Sequence, residues 1–231
     1  MTQQQWTAVD DYITGALLEP DEALDAALAA SAAAGLPAIA VSPAQGKLLN
    51  LLAKMMKARR ILEVGTLGGY STIWLARALP SDGRVITLEY QQRHAEVARA
   101  NIARAGLADL VDVRVGAALD TLPLLAEDIE GELFDLVFID ADKQHNADYF
   151  TWSMRLTRPG GVIIVDNVVR EGKVLDEQSE DRDVQGVRRL NDVMAADPSV
   201  SATVIQTVGA KGYDGFAIAV VGESADLRTG S

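Results

Sequence analysis

The chain changes texture near residue 60: before it, apolar residues recur at helical spacing, and after it, short apolar runs alternate with longer amphipathic stretches. In the first part Ala, Leu and Gln are plentiful and β-branched runs are missing, so Glu22–Ala34 reads as a helix that Gly35 and Pro37 stop. Ser42-Pro43 supplies a cap and first turn for the next helix. Leu48, Leu49, Leu52, Met55 and Met56 lay an apolar stripe along it, the mark of a face packed on a core. Beyond residue 60 the spacing predicts strands over Ile61–Gly65, Arg84–Glu89, Val111–Gly116, Phe134–Asp140 and Gly161–Asp166, and then over Ala202–Val208 and Phe216–Val221. Helices are predicted over Ser71–Leu79, His94–Ala105, Leu119–Ala126, Asn146–Leu156 and Val184–Ala195. Such repetition implies right-handed crossovers and a parallel sheet with helices on both faces. Only the polar stretch Gly209–Gly215 joins the last two strands, too little for a parallel crossover, so they read as an antiparallel hairpin. The pattern therefore predicts an α/β fold, a doubly wound, mostly parallel seven-stranded sheet with an antiparallel C-terminal strand. Residues 1–57 form a helical appendage, 58–222 the core and 223–231 a polar tail.

Composition removes several classes of function. A length of 231 residues favours one globular domain with a short appendage, and 48% hydrophobic with 23% charged residues excludes a disordered or fibrous chain. Thirty-three acidic against 21 basic residues give a net charge of −12, which opposes broad binding to nucleic acid or to an anionic membrane surface. The chain has no cysteine, so disulfides, thiolate nucleophiles and thiolate metal sites are ruled out. Asp10, Asp11 and Glu19 interrupt Met1–Pro20, which lacks the pattern of a secretory signal, and no apolar run approaches the roughly 18 residues that span a bilayer. Cytoplasmic is the expected compartment.

In an open parallel sheet, ligands bind beyond the carboxyl ends of the strands, so the polar residues there carry the chemistry. The first strand runs out through Glu63-Val64-Gly65-Thr66-Leu67-Gly68-Gly69-Tyr70-Ser71. A dinucleotide fingerprint fails here, because Leu67 and Tyr70 stand where glycines are needed, and no Lys-Ser or Lys-Thr pair makes a P-loop. The loop can still pass close to a ligand without a pyrophosphate. The second strand ends in Glu89, where an acid can accept hydrogen bonds from ribose hydroxyls. Together they suggest a nucleoside-bearing cofactor, with S-adenosylmethionine the leading candidate; glycines that merely turn the chain, and an acid that merely meets solvent, are the alternative.

The fourth strand ends Phe138-Ile139-Asp140-Ala141-Asp142-Lys143 and the fifth Val165-Asp166-Asn167. If these strands are neighbours, Asp140 and Asp166 converge, and two adjacent carboxylates call for a cation or a shared proton. With the Asn167 amide they offer three hard oxygen donors, a set suited to Mg²⁺ above all, or to Ca²⁺ or Mn²⁺. The same residues could instead cap helices or end strands. Lys143 could take a proton from a cation-bound hydroxyl, or be a solvated surface lysine.

Taken in order, these residues resemble the cation-dependent O-methyltransferases, the family of catechol O-methyltransferase and the plant caffeoyl-CoA O-methyltransferases. The likeness runs from Val41 to Val221 and is carried by Val41-Ser42-Pro43-Ala44-Gln45-Gly46-Lys47-Leu48-Leu49, Glu63–Ser71, Phe138–Lys143 and Val165–Asn167. The Asp-Ala-Asp-Lys run is shared with the caffeoyl-CoA branch. The resemblance implies a Rossmann-like, class I S-adenosylmethionine-dependent methyltransferase core. It implies that Val41, Glu63, Gly65, Thr66, Ser71, Glu89, Ala118 and Asp140 hold S-adenosylmethionine, with Glu63 at the aminocarboxylate, Glu89 at the ribose and Ala118 at the adenine. It implies Asp140, Asp166 and Asn167 as metal ligands, Lys143 with Asp140 as the catalytic pair, a small phenolic acceptor, and a homodimer with the amino-terminal helices at its interface.

No motif in Val168–Arg182 or Gly209–Gly215 names an acceptor; Arg170, Lys173 and Lys211 read as solvated charge, and His94 and His145 as surface residues. Three other readings stand beside the small-molecule enzyme. One is a methyltransferase acting on a macromolecule, which the acidic charge opposes; another is a dehydrogenase, which the failed dinucleotide fingerprint opposes; the last is a non-catalytic nucleoside-binding protein, which would have no need of Asp140, Lys143, Asp166 and Asn167 together.

Overall fold

Three helices open the chain: α1 (Gln3–Leu17), α2 (Glu22–Ala33) and α3 (Pro43–Met55). The computed structural model describes residues 2–128 and 132–222; the predicted polar tail, 223–231, lies outside the described residues. Side chains of Thr2, Asp21 and Ser42 accept backbone N–H bonds at the three helix starts, as short oxygen-bearing residues do at N-caps. Strands and helices then alternate: β1 (Arg60–Val64), α4 (Tyr70–Ala76), β2 (Arg84–Glu89), α5 (Gln92–Arg104), β3 (Val111–Val115), α6 (Ala118–Asp128), β4 (Phe134–Ile139), α7 (Asn146–Leu156), β5 (Thr157–Asp166) and α8 (Arg182–Ala196). β6 (Val200–Gly209) and β7 (Gly212–Val221) close the sequence.

The seven strands make one sheet in the order β3-β2-β1-β4-β5-β7-β6. β1 and β2, β2 and β3, and β4 and β5 pair in parallel, while β7 lies antiparallel to β5 with Asp166 opposite Phe216. The chain divides into two compact units. One runs to Thr121 and includes Gly209–Gly212; the other holds Leu122–Val208 and the segment from Tyr213 onward. Each has its own apolar strands: Ile61, Leu62, Val64, Val85 and Leu88 in the first, and Phe134, Leu136, Val137, Phe138, Ile139, Ile163 and Ile164 in the second, all buried. Such largely apolar runs are what a parallel strand covered on both faces requires. β6, by contrast, is exposed from Ser201 to Val208, as an edge strand is.

Two predicted boundaries move furthest. β5 starts at Thr157 rather than Gly161, because Pro159 and Gly160 are carried inside the strand across a register shift opposite Phe134–Leu136. The last connection is Ala210-Lys211 alone, since β7 already begins at Gly212. Gly215 is there for close approach, not for a turn: a Cβ on it would lie 2.5 Å from the Ile205 carbonyl oxygen and 2.6 Å from Val169 Cγ2. Among the described residues no helix is long and apolar enough to cross a membrane.

Candidate active site

In the first unit the glycine loop and its two acids form one buried polar network. Gly65 leaves β1 at φ +99° and Gly69 precedes α4 at φ +82°, backbone that a side chain would strain. Glu89, at the end of β2, is buried and holds the loop: its Oε2 accepts from the backbone N–H groups of Thr66 (3.2 Å) and Leu67 (2.8 Å), and its Oε1 from Gln91 N–H (2.9 Å). His94 Nδ1 lies 3.3 Å from Glu89 Oε1, so a histidine read as a surface residue in fact faces this acid. Glu63 is fully buried on β1 and accepts from the hydroxyls of Ser71 (2.6 Å), Thr72 and Thr87 (2.7 Å). The structure thus brings Glu63, Thr66, Ser71 and Glu89 together through hydrogen bonds. Val41 and Ala118 bring no polar side chain; Val41 is buried just ahead of the α3 cap and Ala118 opens α6 after Gly116, whose N–H bonds the Glu89 carbonyl. Two buried acids at parallel strand ends, beside a loop of positive φ, suit a cationic, hydroxyl-bearing ligand such as S-adenosylmethionine.

In the second unit the strand register does what the candidate cation set needs. Ile139 pairs with Val165, so Asp140 and Asp166 leave β4 and β5 at matched positions on strands about 4.8 Å apart. Asp166 is buried and its Oδ1 accepts from Asn167 N–H at 2.8 Å; Asn167 takes a left-handed conformation at φ +58°. Lys143 is only 7% exposed, and its Nζ donates to Asp140 Oδ1 at 2.7 Å. The solvated-lysine alternative is therefore excluded. Gly186 of α8 permits this burial: a Cβ there would come within 2.1 Å of the Lys143 carbonyl oxygen. Among the described residues no three His, Cys, Asp or Glu side chains gather as a cation site. The candidate set is two carboxylates and one amide, hard oxygen donors of the kind that a divalent cation of the Mg²⁺ type takes.

The second acid of the same run points elsewhere. Asp142 accepts from the Tyr149 hydroxyl and bonds His145 Nδ1. Burial opposes its charge, but these two partners outweigh burial and hold the carboxyl below its ordinary range. Burial and the same carboxylate push Tyr149 well above the usual phenol. Beyond Asn167, Asp214 Oδ1 accepts from the N–H groups of Val169 (2.9 Å), Arg170 (3.0 Å) and Gly215 (2.9 Å), pinning the loop that follows the cation set. The flanking cations are engaged as well: Arg170 with Asp183, Lys173 with Glu171, and Lys211 with the Ala38 carbonyl in the first unit. Thr72, Thr87, His94, Asp142, Tyr149, Gly186 and Asp214 escaped the sequence reading. Of these, Asp142 lay within a quoted motif and Thr72 directly after one.

Comparison with known proteins follows the same lines. The model of a family described as O-methyltransferase matches residues 19–217. A protein of Niastella koreensis named catechol O-methyltransferase is 55% identical over 221 residues, covering 96% of this chain and all of that one. A Eucalyptus globulus protein named caffeoyl-CoA O-methyltransferase 1 is 34% identical over 169 residues, 70% of this chain and 68% of its own. The crystal structure of an O-methyltransferase from Bacillus cereus, in complex with S-adenosylhomocysteine, superposes with a TM-score of 0.94 at 57% identity, covering 95% of this chain and 100% of that one.

Proposed function

The chain belongs to the O-methyltransferase family, and from that premise we propose that it methylates one hydroxyl of a small catechol-like acceptor with the help of a divalent cation. It is an S-adenosylmethionine-dependent O-methyltransferase. The acceptor class and the cation are our reading, and the observation that carries them is the buried Lys143–Asp140 pair at the strand ends that Asp166 and Asn167 share. The higher identity to a relative named for catechol than to one named for caffeoyl-CoA favours a free catechol over a coenzyme A ester.

In this reading Glu63 and Ser71 bind the amino acid portion of the methyl donor and Glu89 its ribose hydroxyls, with Val41, Gly65, Thr66 and Ala118 shaping the walls. Asp140, Asp166 and Asn167 would hold the cation, which when bound supplies charge stabilisation for a deprotonated acceptor oxygen. Lys143, as the neutral amine left once its ammonium has released a proton to solvent, takes the acceptor's hydroxyl proton at Nζ. The methyl group passes from sulfonium sulfur to that oxygen, leaving S-adenosylhomocysteine and a methyl ether. Fixed positions for both partners replace a bimolecular encounter with a near-unimolecular step. The reading also includes a cytoplasmic homodimer.

The experiment is methyl transfer to a panel of catechols and caffeoyl-CoA, with Mg²⁺ and with EDTA, for the native chain and Asp166→Ala. Turnover is expected with Mg²⁺ and lost on chelation, and Asp166→Ala is expected to abolish turnover while retaining S-adenosylmethionine binding. Activity that survives thorough chelation would overturn the cation's role.

A further inference from the structure

A carboxylate out of water needs donors, and fully buried Glu63 has three hydroxyls. Ser71 is already assigned to the cofactor; Thr72 and Thr87 are not. Thr87 is set apart by a second link, since its Oγ1 lies 2.6 Å from Thr66 Oγ1. A hydroxyl has a single proton to donate. That of Thr87 is committed to Glu63 Oε2, so the Thr66 hydroxyl must donate to Thr87. The N–H of the same Thr66 donates to Glu89 Oε2. One buried chain therefore runs Glu89–Thr66–Thr87–Glu63, wholly within the first unit, and joins the acids read as gripping the ribose and the amino acid end. Valine would fill the same space on β2, whose neighbouring positions Val85, Ile86 and Leu88 are apolar and buried. The hydroxyl, not the volume, distinguishes this position.

We propose that Thr87 is a positioning residue that fixes the Glu63 carboxylate toward the ammonium group of the methyl donor and, through Thr66, ties it to Glu89. The proposal rests on the cofactor roles read for Glu63 and Glu89 above. It is tested by calorimetric binding of two ligands: S-adenosylhomocysteine, which carries the amino acid portion, and methylthioadenosine, which lacks it. Thr87→Val is expected to weaken S-adenosylhomocysteine about tenfold, with methylthioadenosine changed less than about twofold. Thr87→Ser is expected to restore both. Equal weakening of the two ligands, or no change in either, would overturn the positioning role. If the native chain bound neither ligand, the cofactor assignments themselves would fall. Should Thr87→Val not fold, Thr66→Val removes only the hydroxyl that Thr87 receives. It is expected to weaken S-adenosylhomocysteine selectively by about threefold, and an equal effect on both ligands would again overturn the proposal.

Discussion

Lys143 shows how much a single side chain can owe to its neighbours. A lysine keeps its charge out of water only when a carboxylate or equivalent partner is held against it, and Asp140 is held there by the turn that follows β4. Lys143→Met keeps the stem and removes the nitrogen. It is expected to lower kcat by about 10²–10⁴-fold, the usual worth of one acid–base group, with the dissociation constant for S-adenosylhomocysteine unchanged. Single-turnover assays beside calorimetry measure both, and near-native turnover would remove Lys143 from the proton transfer. The sequence made this residue legible because Asp140, Lys143, Asp166 and Asn167 follow two predicted strands directly. It hid Thr87, His94 and Asp214, since each meets its partner only after folding: Thr87 looks like an ordinary β-branched strand residue until Glu63 is set beside it.

At the scale of elements, the Ser42-Pro43 cap was readable, and the Asp21 cap and the long-range ties were not. Asp21 precedes α2, and its Oδ1 accepts from Ala23 N–H (3.1 Å) and Leu24 N–H (3.0 Å). The structure adds the Arg77 guanidinium at the end of α4, paired with both carboxylate oxygens. That guanidinium, followed by the cap N–H groups, outweighs partial burial and holds the Asp21 carboxyl below its ordinary range. A depressed carboxyl stabilises the folded state at any pH above its unfolded value near 4 and loses that contribution as pH falls through the folded value. Asp21→Ala is therefore expected to cost about 1–2 kcal/mol at neutral pH, and the gap from the native chain should narrow below about pH 4. Denaturant titrations at neutral and acid pH measure it. A gap that stayed constant into strong acid would mean that Asp21 acts by volume alone. Boundaries were lost where glycines serve packing: Gly160 lies inside β5, ahead of the start predicted at Gly161, and Gly215 reads as a connection and lies in β7.

The whole molecule's class was legible because strand–helix repetition permits few topologies, whereas strand order came only with the structure, since periodicity says nothing of which strands are neighbours. One surface remains to be explained at this scale. α1 has no buried residue, and Val9, Tyr12 and Leu17 on it are exposed together with Leu51 and Met55 of α3, the helix against which α1 packs. Tyr12 is 76% and Met55 77% exposed. Exposed apolar side chains on two helices that pack together are the kind of surface that association covers. A second copy of the chain would cover it with the same residues about a two-fold axis, in keeping with the homodimer of the proposed reading. The chain is accordingly expected to sediment as a dimer at micromolar concentration. Tyr12→Glu with Met55→Glu sets like charges against each other across such an axis and should yield a monomer whose circular dichroism matches the native chain. A native chain that sediments as a monomer would refute the dimer. A double variant that stays dimeric would move the interface to another face.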